Sequence, residues 1–366
     1  MSKQSILAWV ICVTSKLRPS QSETLSHLVA AAVRTERPNL ATIGRRMAGE
    51  VAAKHTIKRA WRFTRNPRVE VADAMSGVIA TIARRRRKKR LLISLDWTDL
   101  RSYHTLMASA CLGTRSIPLL WASYTQSRLK KSQNDLEERL LRKLRTLIPR
   151  STEVVILADR GFGRAEWAAA CQELGFHYLV RIKPDVTISC PRHRGVLRSY
   201  PTRKGMAHVL RDVDYRKDRR VKHNVVIRWR EGLPRKRDEP WYLMTDLDGK
   251  AERLCQIYGR RMSIEEMFRD HKSKRNGQSL RDTRFRHADR LDRFLLVVAL
   301  AYLVLIGVGL VARLDRDPSA WCTNRRATEC SHFTIGKAMV DILNCSPDQL
   351  LGMIRRATNE VAVKWG

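Results

Sequence analysis

Two aspartates follow apolar stretches that are typical of buried β-strands. Asp96 ends the stretch LLISLD, and Asp159 ends VVILAD. A single carboxylate in such a place often caps the next turn. Two carboxylates at matching strand ends favour a shared cation instead, because ligands bind at the carboxyl edge of α/β sheets and a buried charge without a partner is costly.

A third carboxylate belongs to a set of polar residues in a predicted helix over 252–273. Tyr258, Arg261, Glu265 and Lys272 are spaced by 3, 4 and 7 residues, which places them within about 60° of one another on a helical wheel. One side of the helix would then present a phenol, a guanidinium, a carboxylate and an ammonium. The alternative is a solvated salt-bridge ladder, since Arg261 and Glu265 have the i,i+4 spacing.

The elements that must position these residues alternate between short apolar runs and amphipathic stretches. We predict strands over 91–98, 104–112, 115–124, 153–162 and 177–183, and helices over 134–148 and 165–174. This order predicts an α/β layer with a mixed sheet. Residues 185–250 are rich in Pro, Gly and charge, and their apolar runs at 225–229 and 241–247 predict a mostly β insertion.

Two apolar segments need a location in the fold. Residues 294–312 are 19 uncharged residues, long enough to span a membrane. Because this segment contains two glycines and follows a highly charged stretch, we favour a helix buried in a large α/β core, with a membrane span as the alternative. Residues 6–13 favour a buried N-terminal helix over a signal peptide, because no small-residue cleavage signal follows them.

Residues 20–83 have helical patterns and many basic residues. We predict helices over 25–33, 40–49 and 54–65, the last with Ile57, Ala60 and Trp61 on its apolar face. A short helix, a glycine-containing turn and a basic helix are the layout of a helix-turn-helix, which makes Lys58 and Arg59 candidate DNA contacts. An ordinary helical hairpin with solvated basic residues fits the composition equally well.

The charge of the chain is strongly unbalanced. Its 366 residues include 71 Lys and Arg against 36 Asp and Glu, a formal net charge of +35, and 43% of them are hydrophobic. That apolar content excludes a disordered basic tail, and the charge predicts a polyanionic partner, nucleic acid first and an anionic membrane surface second. Seven consecutive basic residues at 84–90 predict a linker that contacts phosphates or is simply solvated.

The eight cysteines include no CxxC pair, which favours reduced cytosolic thiols over a zinc site.

The polar set in the predicted helix bears a family resemblance. Its spacing, Tyr258-x2-Arg261-x3-Glu265-x6-Lys272, matches the Y-(2)-R-(3)-E-(6)-K signature of the bacterial transposases of the insertion sequence 4 family. A four-residue signature at fixed spacing is a specific match.

Other segments extend this resemblance along the chain. LDWTDL around Asp96 and ADRGF around Asp159 resemble the two Asp-bearing strands of the family. EPWYLMTDL at 239–247 is similar to the strand that ends the family's β insertion. KHTIKR at 54–59 resembles the N-terminal DNA-binding region, and here the insertion sequence 10 type is the nearest likeness.

The resemblance implies an α/β fold with an RNase H-like mixed-sheet core. The core would occupy residues 91–312, with the β-rich insertion at about 185–250. A helical DNA-binding domain at 1–83 and a basic linker at 84–90 would precede it. A helical C-terminal segment at 313–366 would follow it.

The resemblance makes Asp96, Asp159 and Glu265 the DDE triad, both as catalytic residues and as metal ligands. Three carboxylates that repel one another can hold two Mg²⁺ ions, with Mn²⁺ as a substitute. Such a pair of ions supports an in-line phosphoryl transfer, in which positioning and charge neutralisation provide most of the catalysis.

Four further residues would contact DNA in this family. Tyr258, Arg261 and Lys272 would bind phosphates of the transposon end beside the metals, Arg by paired hydrogen bonds and Lys as a point charge. Trp241 falls at a position whose ring stacks on a base displaced from the duplex at a hairpinned end. The alternative for Trp241 is ordinary core packing.

The activity that the resemblance implies is cut-and-paste DNA transposition. The protein would bind terminal inverted repeats, cleave donor DNA with metal ions, form hairpins and transfer strands into target DNA. We expect transposon-end DNA, target DNA and a second copy in a homodimer as partners, no membrane, and a bacterial cytoplasmic location at the nucleoid. Two alternatives remain, a catalytically inactive or domesticated DNA-binding protein and another RNase H-like nuclease.

Overall fold

The computed structural model of the protein describes most of the chain. The described residues are 1–47, 49–84, 89–129, 132–215, 218–232, 239–275, 277–322, 330–343, 346–361 and 363–364. Most of the predicted basic linker at 84–90 lies outside them.

Helices and strands alternate along the described residues much as the sequence predicts. The helices are α1 (Lys3–Val13), α2 (Pro19–Val33), α3 (Leu40–Met47), α4 (Ala53–Arg65), α5 (Val71–Ala83), α6 (Gln126–Leu129), α7 (Gln133–Leu147), α8 (Ala165–Glu173), α9 (Ala251–Gly259), α10 (Met262–Lys272), α11 (Ala288–Asp315), α12 (His332–Met339) and α13 (Pro347–Val361). The strands are β1 (Lys89–Leu100), β2 (Tyr103–Leu112), β3 (Arg115–Thr125), β4 (Val154–Ala158), β5 (His177–Arg181), β6 (Thr187–Cys190), β7 (His193–Val196), β8 (Ala207–Tyr215), β9 (Asp218–Arg228), β10 (Trp241–Thr245) and β11 (Val363–Lys364).

Within the described ranges, ten strands form one mixed sheet in the order β3-β2-β1-β4-β5-β10-β9-β8-β6-β7, and β11 pairs with the start of β1. The strands β1, β4 and β5 run parallel to one another. The strands β1, β2 and β3 form an antiparallel meander. This arrangement confirms the predicted mixed α/β fold, whereas its RNase H-like character stays a prediction.

The β-rich insertion extends the same sheet. Its last strand, β10, lies antiparallel to β5, and β9, β8, β6 and β7 continue outward from it. The sequence indicated strands only near β9 and β10. The other strands are short or polar, as in HRGV for β7 and AHVLRDVDY for β8, so hydrophobic patterning does not reveal them.

The most apolar helix, α11, is a core helix. It is long and apolar enough to cross a membrane, yet every residue of its most apolar 18-residue window is buried inside the protein. The elements packed around it include β3, α2, α12 and α13. Its burial is the arrangement that the core-helix interpretation of residues 294–312 expected.

The N-terminal helices pack onto this core. Buried side chains of α1 to α5 belong to the same hydrophobic cluster as those of the sheet. The helices α3 and α4 form the predicted pair, and they lie close together at Gly44, where an added Cβ would lie 2.6 Å from the Cα atom of Ile57. The domain boundaries predicted from the sequence stay predictions.

The apolar face of α4 differs from the predicted one. Ala60, Phe63 and Thr64 are buried, whereas Trp61 is 41% exposed. The buried residues have the i, i+3, i+4 spacing of a single helical face, and Trp61 lies about 100° away from Ala60 on that helix. The prediction that Trp61 packs with Ala60 was therefore wrong.

A methyl group at Gly336 should destabilise the protein. A Cβ there would lie 1.9 Å from the carbonyl oxygen of Leu305 on α11, so Gly336→Ala forces α12 away. We expect a loss of about 1–3 kcal/mol in the free energy of unfolding, measured by urea denaturation. Gly352→Ala on α13 is the matched control, since a Cβ there meets nothing within 4 Å and helix propensity should add up to about 1 kcal/mol. Equal stabilities of the two variants would contradict this packing.

Candidate active site

The parallel register of β1 and β4 brings two aspartates side by side. Leu95 is the register partner of Ala158, where the pairing of the two strands ends. Asp96 and Asp159 are the next residues along each strand. The strand β1 continues to Leu100 because β2 remains paired with it. Asp96 therefore lies inside β1, which corrects the prediction that it ends the strand. It still lies at the edge where β4 stops.

Each aspartate carboxylate accepts a hydrogen bond from a nearby backbone N–H. The Trp97 N–H donates to Asp96 Oδ1 at 2.8 Å, and the Gly161 N–H donates to Asp159 Oδ1 at 2.8 Å. The second bond caps a short 3-10 turn over 160–162, which explains why β4 ends at Ala158. Both carboxylates are thus oriented by the main chain.

Arg261 joins the third carboxylate to the first. Its Nη1 lies 3.2 Å from Asp96 Oδ2, and its Nη2 donates to Glu265 Oε1. The Arg261 side chain is 11% exposed, Asp96 16% and Glu265 42%, so solvent still reaches the site from the Glu265 side. Arg261 therefore holds Asp96 and Glu265 around one guanidinium.

The helix that carries this set is interrupted, which corrects the prediction of one continuous helix over 252–273. The chain makes a tighter turn between α9 and α10, with i→i+3 hydrogen bonds from Arg261 N–H to the Tyr258 carbonyl at 2.9 Å and from Ile264 N–H to the Arg261 carbonyl at 3.1 Å. Gly259, which lowers helix propensity, precedes the turn. The sequence pattern could not reveal that this turn carries Arg261 toward Asp96.

The carboxylates also interact electrostatically. Burial raises the pKa of Asp96 to about 7; Arg261 opposes the rise, and the charges of Asp159 and Glu265 add to it. Asp159 and Glu265 therefore both lie within electrostatic reach of Asp96. That the three act together as a triad stays a prediction.

The remaining predicted DNA contacts near this site differ in exposure. Tyr258 is 5% exposed, and burial raises its pKa to about 12. The half-buried ring of Trp241 packs edge-on against it with centroids 5.3 Å apart. Burial and the charge of Arg281 lower the pKa of Lys272, while Asp99 and Asp96 oppose the shift. Lys272 thus shares the electrostatic environment of the carboxylates, and Tyr258 with Trp241 forms one wall.

The donor set suits a hard divalent cation in its chemistry. Among the residues that the structure describes, no three His, Cys, Asp or Glu side chains are close enough together to hold a metal ion, and Arg261 lies between two of the triad carboxylates. Carboxylate oxygens are the ligands that Mg²⁺ prefers. Burial is the main cause of the raised pKa of Asp96, and the charges of Asp159 and Glu265 add to it. A cation at this place would offset both effects by stabilising the ionised carboxylates.

Lys58 and Arg59 lie apart from the triad in the sequence, on α4. Lys58 is exposed. Arg59 is half-buried and donates to Thr24 Oγ1 at 3.1 Å, with Glu23 at 3.9 Å. Arg59 therefore also ties α4 to α2, and contact of either residue with DNA stays a prediction.

Sequence analysis missed a buried glutamate beneath the two aspartates. Glu137 is fully buried on α7 and accepts hydrogen bonds from Trp97 and Arg164. Its position is the sequence signal that could have revealed it, since a carboxylate three and four residues before Leu140 and Leu141 lies in the apolar stripe of an amphipathic helix.

An α/β protein with converging carboxylates and a large positive charge is suited to metal-assisted chemistry on a polyanion. Residues 87–304 match the family of transposase DDE domains. Because this stretch is more than half of the chain and contains all three carboxylates, the protein belongs to that family. Transposases act on DNA, which they cleave and join by strand transfer, and DDE domains generally use divalent metal ions. No curated protein matches the chain.

Removing the buried charge of Asp96 should stabilise the metal-free protein. Its pKa is about 7 in the folded chain, well above the ordinary value for an aspartate in an unfolded chain, so ionisation costs folding free energy that is absent below both pKa values, grows between them and is constant above pH 7. We expect Asp96→Asn in EDTA to gain roughly 2–4 kcal/mol at pH 8, and less than half of that at pH 5, by urea denaturation.

Asp99→Asn is the control for this experiment. Asp99 lies in the same strand, but its side chain is 70% exposed and pairs with His104. We expect little change in stability from it at either pH. If Asp96→Asn were no more stable than Asp99→Asn at pH 8, the ionised Asp96 would not be a source of strain.

Proposed function

We propose that the protein is the cut-and-paste transposase of a bacterial insertion sequence of the insertion sequence 4 family, nearest to the insertion sequence 10 type. The observation that carries this proposal is that Asp96 lies beside Asp159 at the edge of two parallel strands and is joined to Glu265, from a helix, through Arg261. The substrate would be DNA with terminal inverted repeats at the ends of the element.

Asp96, Asp159 and Glu265 would hold Mg²⁺, as two ions, with Mn²⁺ as a substitute. When bound, such ions activate the attacking oxygen and stabilise the leaving 3′-oxygen in an in-line displacement. The backbone N–H groups of Trp97 and Gly161 orient two of the three carboxylates before any ligand arrives. This preorganisation supports catalysis because little rearrangement is then needed in the transition state.

Arg261 has the geometry to exchange partners when DNA binds. In the free protein its guanidinium neutralises Asp96 and Glu265. A guanidinium binds a phosphate equally well through paired N–H groups. We propose that Arg261 turns to a phosphate of the scissile strand, that Lys272 supplies a second positive charge there, and that Tyr258 supports Arg261, whose guanidinium carbon lies 6.0 Å from the phenol ring centre.

The positive charge of the chain supports a DNA substrate. With a net charge of +35, the protein would attract the phosphate backbone strongly and in a salt-dependent way. Lys58 and Arg59 on α4 are the residues that we propose for recognition of the inverted repeats. A homodimer that holds two transposon ends, a step of strand transfer into target DNA, and a cytoplasmic location at the nucleoid complete the proposal.

Neutralising a triad residue should abolish cleavage and spare DNA binding. Asp96→Asn, Asp159→Asn and Glu265→Gln should each lower the rate of Mg²⁺-dependent cleavage of a duplex that carries the DNA flanking the coding region. We expect a loss of about 1,000-fold or more, equivalent to roughly 4 kcal/mol of barrier. Denaturing gels measure cleavage, and gel shifts measure binding of the same duplex.

Matched controls come from neighbouring carboxylates. Glu266→Gln alters the next residue of α10, which pairs with Arg269 at 2.9 Å, and Asp99→Asn alters the exposed part of β1. Both should cleave within about 3-fold of the native rate. Cleavage by a triad variant with intact binding would contradict the assignment. Band shifts without any product from the native protein would indicate a DNA-binding protein, and selective cleavage of RNA–DNA hybrids would indicate another RNase H-like nuclease.

Trp241 should act after the first nick. Its half-buried ring covers Tyr258 at the edge of the site, and stacking of a base on an aromatic ring is worth about 1–3 kcal/mol. We expect Trp241→Ala to lower the yield of hairpinned ends about 10-fold while nicking persists, and Trp241→Phe to keep most of the yield. Gels that separate nicked from hairpinned products measure both. Native hairpin yields from the Ala variant would leave Trp241 with a packing role only.

A further inference from the structure

A single buried carboxylate links the two strands that carry the aspartates. Glu137 on α7 has no exposed side-chain surface. It accepts from Trp97 Nε1 at 2.9 Å, from Gln133 Nε2 at 3.2 Å and from Arg164 Nη2. An ionised carboxylate is expensive to bury, and these three donors offset that cost.

The first link leads to Asp96. The indole N–H of Trp97 is held by Glu137, and the backbone N–H of the same residue donates to Asp96 Oδ1 at 2.8 Å. A shift of the indole ring would therefore move the main chain that orients the Asp96 carboxylate. Glu137 acts on Asp96 through one intervening residue.

The second link leads to Asp159. Arg164 pairs with Glu137 and donates through its Nη1 to the carbonyl oxygen of Gly161 at 2.6 Å. The N–H of Gly161 donates in turn to Asp159 Oδ1 at 2.8 Å. The loop is close to the carboxylate, since a Cβ at Gly161 would lie 3.1 Å from that oxygen. Glu137 thus reaches Asp159 through Arg164 and Gly161.

We propose that Glu137 is a positioning residue that fixes the two aspartates relative to each other and thereby sets the affinity of the triad for divalent metal ions. The proposal rests on the function proposed above. Asp96 and Asp159 repel each other when ionised, and pairing between β1 and β4 ends one residue before them. Hydrogen bonds that converge on one rigid, buried group would keep the two carboxylates at a fixed separation where the sheet no longer does.

A merely structural role for Glu137 predicts a different outcome. A buried ion pair that only held α7 to the loop before α8 would change stability when removed, but not the metal requirement of a protein that still folds. Replacing an outer residue that orients metal ligands typically lowers metal affinity by about 10–100-fold. Metal affinity and stability therefore separate the two roles.

The test is Glu137→Gln in the full-length protein, with Glu138→Gln as the matched control. The amide leaves one acceptor oxygen where the carboxylate offered two to Trp97 and Arg164, so one of the two links must break. Glu138 is the next residue of α7, and it pairs with Arg142 on the exposed face.

Two readouts are needed. One is the Mn²⁺ concentration that gives half-maximal cleavage of transposon-end DNA. The other is Tb³⁺ binding to the DNA-free protein, followed by tryptophan-sensitised luminescence, with Asp96→Asn to identify the signal of the triad. For Glu137→Gln we expect both constants to rise about 10-fold or more while the gel shift of end DNA is unchanged. Glu138→Gln should match the native protein in both.

Trp97→Phe and Arg164→Lys keep the test valid if Glu137→Gln does not fold. The first removes the indole N–H donor and keeps an aromatic ring, and the second replaces the two-pronged guanidinium with a single ammonium. Arg164→Lys should raise the Tb³⁺ constant. Trp97→Phe also removes an indole next to Asp96 that can sensitise Tb³⁺, so its expected effect is a higher Mn²⁺ concentration for half-maximal cleavage. Combining either with Glu137→Gln in a folded protein should add less than the sum of the separate effects, because the residues act through the same links.

Native Mn²⁺ and Tb³⁺ constants in a folded Glu137→Gln protein, or in both substitute variants, would overturn the positioning role. Failure of the proposed function has a different signature. If the native protein binds Tb³⁺ through Asp96 but cleaves no DNA, the proposed transposase function is wrong. The Tb³⁺ luminescence of the variants would still test the effect of Glu137 on metal affinity. If Asp96→Asn leaves Tb³⁺ binding unchanged, the triad is not a metal site and both proposals are overturned.

Discussion

Repulsion among three carboxylates in a partly buried place is the constraint that shapes this protein. Asp96, Asp159 and Glu265 come from different elements, and the pKa of Asp96 is raised by burial first and by the charges of Asp159 and Glu265 in addition. Main-chain N–H groups hold two of them, and the guanidinium of Arg261 neutralises two of them. The parallel register of β1 and β4 and the tight turn before α10 are the backbone features that deliver the charges to the same place.

The core helix α11 contributes to this arrangement directly. Asp270 on α10 accepts from Arg115 Nε at 2.6 Å and from the Tyr302 hydroxyl at 3.0 Å. Arg115 begins β3, and Tyr302 is fully buried on α11. The helix that carries Glu265 is therefore bonded to both the sheet and the core helix, about one turn beyond Glu265. Rigid support of this kind limits how far Glu265 can move away from the aspartates.

Much of the fold could be predicted from the sequence because its strongest signals are local. Apolar runs identify β1 to β5, and amphipathic spacing identifies α7 and α8. The strands β6 to β8 escaped detection because they are short or polar and gain their stability by pairing with the extended sheet. Trp61 was assigned to the wrong face of α4 because a hydrophobic side chain was assumed to mark the packed side, although Phe63 takes that role.

The site was predictable in its residues and not in its contacts. Spacing and strand patterns brought Asp96, Asp159 and Glu265 into one hypothesis. In the structure Asp96 interacts with each of the other two, and the joint role of the three stays a prediction. The salt bridge from Arg261 to Asp96 spans 165 residues and depends on a turn that helical periodicity does not register. Glu137 was overlooked for a related reason, because its role comes from tertiary partners 27 and 40 residues away.

The order in which the chain leaves the ribosome gives the burial of α11 a further meaning. The apolar helix α11 is synthesised before α12 and α13, the two helices that cover part of it. A chain that ended after α11 would expose the apolar side chains of this helix to chaperones, to other chains and to the translocation machinery. Loss of α12 and α13 through premature termination would therefore uncover part of an apolar helix and favour aggregation.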